Sequence, residues 1–391
     1  MSIAALELWT SNLHQPSTSY VDDIMSEVYF AGLRADGPSQ NVPSKVRRLF
    51  EKARLGSTFS EGDLVAVKTH FGEPGSTSFL RPQFVGAVVD MVRQGGGRPF
   101  LTDSNTLYKG GRSNAVDHLN AAVRHGYTYP VIDAPAIIAD GLLGKDEVEV
   151  EVGLKHCRTV KFGTAAHQAS SILVVSHFKG HMMTGFGGAL KNLGMGFGSR
   201  AGKLEMHKLA HPTVDQDICT GCGSCAASCP QSAIEVDGKA SIHTDKCIGC
   251  GECWVACPSD AIGPQDPQSL IDIQEKIVEY CYGILKDKKG KMGYVTFVVD
   301  VTPHCDCPGW SDLPVVPDIG ILASLDPVAI DQAAADLVNG ARGLEGTGLK
   351  HHHAPGEDKF TALVDVDWTA QLRYAEELGL GSRKYELIEI E

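Results

Sequence analysis

Positive charge is in short supply in this chain of 391 residues: 35 Lys and Arg stand against 48 Asp and Glu, a formal net charge of −13. A nucleic-acid surface needs a basic patch to neutralise phosphates, so no nucleic-acid partner is expected. Long apolar runs are missing too. The longest, such as "ILVVS" and "FVGAVVDMV", are far too short to span a bilayer, which predicts no membrane span. The opening "MSIAALELWTSNLHQ" lacks the basic and apolar regions of a signal peptide. A cytoplasmic location is the resulting expectation. Aromatics are only 7% of the chain, and no aromatic-rich or basic stretch identifies a protein partner. There is no low-complexity tract, and 43% hydrophobic against 21% charged residues is ordinary globular composition. A chain of this length suggests about two to three domains.

Cysteine, by contrast, is abundant, with 12 residues. In a chain expected in the cytoplasm these read as metal ligands or catalytic thiols, not disulfides. Eight fall into two runs. Cys219, Cys222, Cys225 and Cys229 precede Pro230, and Cys247, Cys250, Cys253 and Cys257 precede Pro258. Both runs have the spacing C-x2-C-x2-C-x3-C-P. Three thiolates on a tight loop can hold three corners of a cubane, and the fourth reaches the other cluster. On that crossed scheme Cys219, Cys222, Cys225 and Cys257 hold one [4Fe-4S] cluster, and Cys247, Cys250, Cys253 and Cys229 hold the other. Gly221, Gly223, Gly249 and Gly251 let the backbone bend closely around them. The competing reading is a pair of zinc sites, but zinc ribbons use two cysteine pairs separated by a longer loop. The stretch resembles the bacterial two-cluster ferredoxins over roughly fifty residues. That resemblance implies one-electron transfer at low potential.

Around the runs, strand and helix patterns alternate. "DLVAVKTH", "RPFLTDS", "PVIDA", "ILVVSHFKGH", "GYVTFVVDV" and "PDIGILAS" read as strands. "RPQFVGAVVDMVRQGGG", "SNAVDHLNAAVRHG" with a Ser N-cap, "QSLIDIQEKIVEYCYGILKDKKG" and "DPVAIDQAAADLVNG" read as helices. The last segment, "TAQLRYAEELGLGSRKYELIEIE", predicts a helix and a closing strand. The first forty residues predict an irregular arm with one helix near Tyr20 to Arg34. The fold expected is α/β, a mostly parallel sheet covered by helices on both faces. Residues 214–264 form an inserted α+β, bacterial ferredoxin-like two-cluster domain between the α/β parts 1–213 and 265–391.

A pure electron carrier needs only about sixty residues, so chemistry is sought outside the runs. Lys68 and His70 end a strand before a Gly-Pro-Gly loop, where open sheets bind ligands. His177, Lys179 and His181 alternate, so they can share one strand face. A glycine-rich loop follows and opens a helix at Gly187 to Leu193, whose N-terminus could receive an anion. Lys191 lies within that helix. A lone His is ordinarily a satisfied structural residue. The glycine-rich run matches neither a Walker loop nor a dinucleotide fingerprint. His304, Cys305 and Cys307 follow a strand as a C-x-C pair with an adjacent His, a candidate for one further metal ion or for a direct active-site role, with Asp306 a hard ligand or base between the thiols. An ordinary shielded turn is the alternative. Asp326 is expected to cap a helix, and Asp331 is a second candidate for facing a site. The run His351 to His353 and the isolated Cys157 and Cys281 are expected to be exposed side chains and buried apolar thiols, respectively.

Taken together, "SHFKGH", "GFGGALKNLGMG", "HCDC" and "PDIGILASLDPVAIDQAAADL" resemble a prokaryotic family of iron–sulfur proteins known as domain of unknown function 362, from about Val65 to Leu337. The resemblance implies that His177, Lys179, His181, Lys191, Asn192, Cys305, Cys307, Asp326 and Asp331 belong to one signature. The Gly-Gly-x-x-Lys run also resembles the nickel-pincer hydroxy-acid racemases, though a racemase needs no electron wire. The function expected is a redox protein, an oxidoreductase and more specifically a reductase. Its insert exchanges electrons with a redox partner protein and with a site of Lys68, His70, His177, Lys179, His181 and Lys191 that holds a metal or a small anionic substrate. The alternative is a non-enzymatic carrier or maturation partner whose α/β part docks another protein.

Overall fold

The computed structural model describes residues 25–208 and 211–390. Along the first half run β1 (Ser26–Gly32), α1 (Val42–Lys52), β2 (Leu64–Lys68), α2 (Pro82–Gln94), β3 (Arg98–Asp103), α3 (Ala115–Arg124) and β4 (Ala136–Ile138). A hairpin of β5 (Glu147–Glu151) and β6 (Thr159–Gly163) leads through α4 (Thr164–Gln168) to β7 (Ser171–His177). A second hairpin, β8 (Lys179–His181) and β9 (Gly185–Gly187), precedes α5 (Ala189–Phe197) and α6 (Arg200–His207). The cysteine-rich segment holds β10 (Pro212–Val214), α7 (Ser224–Ser228), β11 (Ile234–Asp237), β12 (Lys239–Ile242), α8 (Glu252–Val255) and β13 (Ile262–Pro264). Last come α9 (Gln268–Lys286), β14 (Met292–Val298), β15 (Gly320–Ser324), α10 (Pro327–Gly340), α11 (Lys359–Leu363), α12 (Ala370–Glu377) and β16 (Tyr385–Glu389).

The main sheet has eight strands in the order β16-β1-β15-β14-β7-β2-β3-β4. From β14 to β4 every neighbour is parallel. Only β15 runs antiparallel to both its neighbours. The parallel strands are apolar on both faces. Val65, Val67, Leu173, Val175, Val295 and Phe297 pack with α1 and α2. Ala66, Ile172, Val174 and Tyr294, facing the other way, pack with α5, α9 and α10. Two-sided burial is what a parallel sheet covered by helices requires. β10 pairs with β13, so the two ends of the cysteine-rich segment meet before the α/β pattern resumes. This segment has its own small core around Ile234, Ala240 and Ile262.

Three local expectations are corrected. The predicted helix near Tyr20 to Arg34 is a strand over Ser26–Gly32; its first part lies outside the described residues. "SEVYFAG" carries β-favouring Val28, Tyr29 and Phe30, and pairing with β15 and β16 on its two edges takes up its backbone groups. "PVIDA" is a turn, in which Val131 N and Ile132 N both donate to Thr128 O, and the strand forms at Ala136–Ile138 instead. The cap of α3 is Asn114, whose side chain accepts from Asp117 N (3.1 Å), not Ser113. No described helix is long and apolar enough to cross a membrane.

Candidate functional site

The two cysteine loops are turned by glycines at positive φ: Gly221 (68°), Gly223 (81°), Gly249 (69°) and Gly251 (79°). L-residues reach that region only with strain. Each loop then enters a one-turn helix, α7 or α8, and the fourth cysteine lies just beyond the helix. That places four cysteines around each of two cavities. One, about 320 Å³, is lined by Cys229, Cys247, Cys250 and Cys253. The other, about 280 Å³, is lined by Cys219, Cys222, Cys225 and Cys257. The last cysteine of each run therefore faces the first three of the other run. Backbone amides point at the sulfurs, at matching positions in both halves. Ala233 N donates to Cys229 Sγ (3.2 Å) and Ala261 N to Cys257 Sγ (3.3 Å). Such N–H groups favour thiolate over thiol.

The donor set can be tested against a single ion. Four thiolates around one zinc at about 2.3 Å stand about 3.8 Å apart. Among the described residues, the one trio of ligand atoms within 4.8 Å of one another is His156, Asp272 and Glu275. No three of the cysteines are that close, so their spread fits a multi-iron cluster better than zinc. The His156 trio is accounted for otherwise, since Lys155 Nζ lies 2.6 Å from Glu275 Oε2 as an ion pair.

A second feature lies at the sheet edge where β2, β3, β7 and β14 end. Connections leave β2 toward β3 and β4 on one side and reach β7 and β14 on the other, so the switch point falls between β2 and β7. Ligand crevices form at such points. A cavity of about 1170 Å³, counted to its open mouth, occupies this edge. Lys68, Arg112, Lys179, Lys191 and Lys203 line it, against the carboxyls of Asp103 and Glu252. Met182, Met195, Ile273 and Ile277 give it an apolar wall. Cys250 borders both this cavity and the 320 Å³ cysteine cavity.

The cations differ in what holds them. Lys68 is fully buried, 2.9 Å from Asp103 Oδ1, and donates to Asn192 Oδ1 (2.8 Å). Burial pushes its ammonium pKa down against the pull of Asp103. Burial alone would raise Asp103, but Lys68 and His118 reverse this and hold the carboxyl well below its ordinary range. Arg112 is paired with Glu73 (3.1 Å) and Asp103 (3.4 Å). Lys203 donates to Ser104 Oγ (2.7 Å), and burial lowers its pKa to about 8. Lys191 stands apart: it is half-buried, lines the cavity, and has no hydrogen-bond or ion-pair partner among the described residues.

The expected histidines separate into different roles. His177 is buried, with Nδ1 3.0 Å from both Asp306 oxygens and Nε2 2.8 Å from Val299 O. It does not line the cavity, so the alternation that was expected to join it to Lys179 and His181 on one catalytic face fails. The chain leaves the main sheet at Phe178, and β8 belongs to a separate hairpin. Lys179 reaches both the cavity and Asp306 (3.0 Å). His181 accepts from Met183 N at Nδ1 (3.2 Å), which leaves Nε2 to carry the proton; burial holds it neutral. His70 accepts from Gly72 N (3.1 Å) in the same way and turns Nε2 toward Cys307 Sγ (3.6 Å).

The C-x-C pair is also split from its neighbours. Cys305 and Cys307 line the cavity. Asp306 is fully buried and takes His177, Lys179 and Ser78 Oγ (3.4 Å). His304 lies against Trp310, ring centroids 5.2 Å apart, and outside the cavity, so the expected His304–Cys305–Cys307 ligand set does not assemble. A hydrogen bond from Cys305, helped by His70, outweighs burial and holds Cys307 well below the usual thiol range. Donating that bond raises Cys305. The helix N-terminus expected to hold an anion is already filled. Asp331 accepts from Ala189 N (2.6 Å) and Leu190 N (2.9 Å) at the start of α5. Asp326 caps α10 as expected, accepting from Val328 N (2.8 Å) and Ala329 N (2.9 Å).

The structure thus joins Lys68, His70, Lys179, His181, Lys191, Cys305 and Cys307 around one cavity and leaves out His177 and His304. Sequence reasoning missed Asp103, Arg112, Lys203, His207 and Glu252. Asp103 had a signal, since it ends an apolar strand as Lys68 does. The others come from separate loops and helices and carry no local pattern.

The chain matches the model of the family described as domain of unknown function (DUF362) over residues 65–336, and it belongs to that family. A ferredoxin from Pyrobaculum islandicum is 48% identical over 33 residues, 8% of this chain and 31% of the ferredoxin. The chain thus spans under a third of that relative. The lactate racemase apoprotein from Thermoanaerobacterium thermosaccharolyticum superimposes with a TM-score of 0.36 and 11% identity, over 70% of this chain and 51% of that one. A structural-genomics target from Thermotoga maritima gives a TM-score of 0.33 and 11% identity, over 68% and 52%. The family, the cysteine-rich region and the short ferredoxin match suggest an iron–sulfur protein.

Proposed function

We propose that this member of the DUF362 family is an iron–sulfur oxidoreductase that exchanges electrons with a small anionic substrate bound in the basic cavity. One observation carries the reading: Cys250 is a wall of both the cysteine cavity and the substrate cavity. Cys229, Cys247, Cys250 and Cys253 would hold one [4Fe-4S] cluster, and Cys219, Cys222, Cys225 and Cys257 the other. Such clusters supply one-electron transfer, commonly at low potential, which favours reduction.

The chain's own residues supply the rest. Lys191 and Lys179 attract the anion, and Lys191 has no internal carboxylate to release first. Arg112 and Lys68 are fixed by Asp103 and Glu73, so they present charge without rearranging, which is how preorganised groups stabilise charge as it develops. His181, held neutral with its proton on Nε2, can donate a hydrogen bond to the bound anion. Asp306 positions Lys179 from the side away from the cavity. The apolar wall limits water around the bound anion. Residues 214–264 act as the redox module and the two flanking parts as the substrate domain.

Two measurements test this. Protein purified without oxygen should hold about eight irons and eight sulfides per chain; zinc in their place would end the cluster reading. Titration with inorganic phosphate as a probe anion should give binding that Lys191→Gln weakens at least tenfold. Equal affinity in wild type and variant would remove the anion site.

A further inference from the structure

Two thiols in the basic cavity remain without a task. Cys305 and Cys307 take no part in the cysteine cavities, and His304 does not join them as a third ligand. They differ from Cys157 and Cys281, which are sealed in the core. Cys307 sits 3.6 Å from His70 Nε2, whose proton position is fixed by Gly72 N. Cys305 stands two positions before Cys307 on the wall of the same cavity, so the two thiols share one site. Arg112 lies near Cys307, and Lys179 and Lys191 near Cys305. The arrangement is that of an attacking thiolate and a resolving thiol. Cations surround the position where a leaving thiolate would develop charge.

We propose that Cys305 and Cys307 form a thiol–disulfide couple that reduces a small anionic disulfide held in this cavity. The proposal rests on the anion-binding reading of the cavity. Cys307, as thiolate, attacks one sulfur of the bound disulfide. That S–S bond breaks, a mixed disulfide forms on Cys307, and the first half leaves as thiolate. Cys305 then gives up its proton to that thiolate and attacks the Cys307 sulfur. The Cys305–Cys307 disulfide closes and the second half leaves as thiolate. The pair has lost two electrons and one proton, and the substrate has become one thiol and one thiolate. Two electrons from a low-potential one-electron carrier and one proton restore the starting pair. His70 is a positioning residue, donating to the Cys307 sulfur.

The test uses the full, cluster-loaded chain without oxygen, challenged with oxidised glutathione (anionic) or cystamine (cationic) at low salt. Peptide mass spectrometry reads the adducts. Cys305→Ser should trap a glutathione mixed disulfide on Cys307, and Cys307→Ser should trap none. The wild type should instead give the Cys305–Cys307 disulfide, at least tenfold faster with oxidised glutathione than with cystamine. Iron content confirms that the variants are folded, and the wild-type disulfide decides the matter if they are not. No adduct on Cys307, equal adducts on both cysteines, or a stoichiometric metal ion lost on substituting the pair would overturn the couple. Equal rates with both probes would instead remove the anion reading and leave the couple standing.

Discussion

Substituting Cys229 should empty the cavity formed by the second cysteine run, although Cys229 belongs to the first run. Cys229 lines the 320 Å³ cavity with Cys247, Cys250 and Cys253, and Cys257 lines the other. Each single Cys→Ser change should therefore lower bound iron from about eight to about four per chain. The pairing of variants carries the information. Cys229→Ser with Cys250→Ser removes two ligands from one cluster, so about four irons remain, as in either single variant. Cys229→Ser with Cys222→Ser removes one ligand from each, so iron falls toward zero. Non-additivity in the first pair and additivity in the second is the signature of shared and separate sites. Through the proposed cluster Cys229 and Cys247 would also close a loop of fewer than twenty residues. A cross-link over about fifteen residues is worth about 3 kcal/mol on the chain-entropy account, so the segment should loosen by a similar amount. Iron and sulfide analysis after anaerobic reconstitution gives the count, and circular dichroism confirms that the α/β part stays folded. Near-zero iron in Cys229→Ser/Cys250→Ser with about four irons in Cys229→Ser/Cys222→Ser would refute the crossing.

Three further outcomes are expected. Asp306→Asn should cost about 3 kcal/mol or more in urea unfolding, because it leaves Lys179 buried beside His177 without its carboxylate; a loss under 1 kcal/mol would mean that the network is not coupled to stability. Asp103 and Asp306 are both held well below the ordinary carboxyl range, where burial is outweighed by Lys68 and His118 for the first and by His177 and Lys179 for the second. Their contribution is complete above the unfolded value near 4 and is lost as the pH falls from there toward their folded values, so unfolding midpoints should drop steeply below about pH 4 and less steeply in Asp306→Asn. Gly221→Ala places a Cβ 2.1 Å from Gly238 O at a φ of +68°, whereas Gly251→Ala meets only the tip of Met183. The strain of about 1–2 kcal/mol is common to both, but a rigid backbone clash is added at Gly221, so Gly221→Ala should lose iron faster on dilution of the protein into chelator.

Local spacing made much of this protein legible. Lys68 at the end of "LVAVK", the cap at Asp326 and the long amphipathic helix over Gln268–Lys286 all follow from residues within a few positions of one another. The failures share a different cause. "SEVYFAG" is a strand because two distant strands pair with it. Asp331 sits on one helix but caps another, about 140 residues earlier in the chain. His177 looked catalytic by alternation with Lys179, yet the chain turns out of the sheet between them, and Asp306 claims its ring.

The sequence by itself determined that eight cysteines stand in two C-x2-C-x2-C-x3-C-P runs and that an α/β pattern flanks them, because ligand spacing and apolar periodicity are short-range properties. The same spacing predicts that the fourth cysteine of each run crosses to the other run's cavity, and Cys229 and Cys257 line those cavities. Only the tertiary structure brought Cys250 to the wall of a basic cavity, and Lys68, Arg112, Lys191 and Cys307 to one place. Those residues come from separate strand ends, loops and helices, and nothing in their local sequence records that the sheet's parallel order delivers them to one edge.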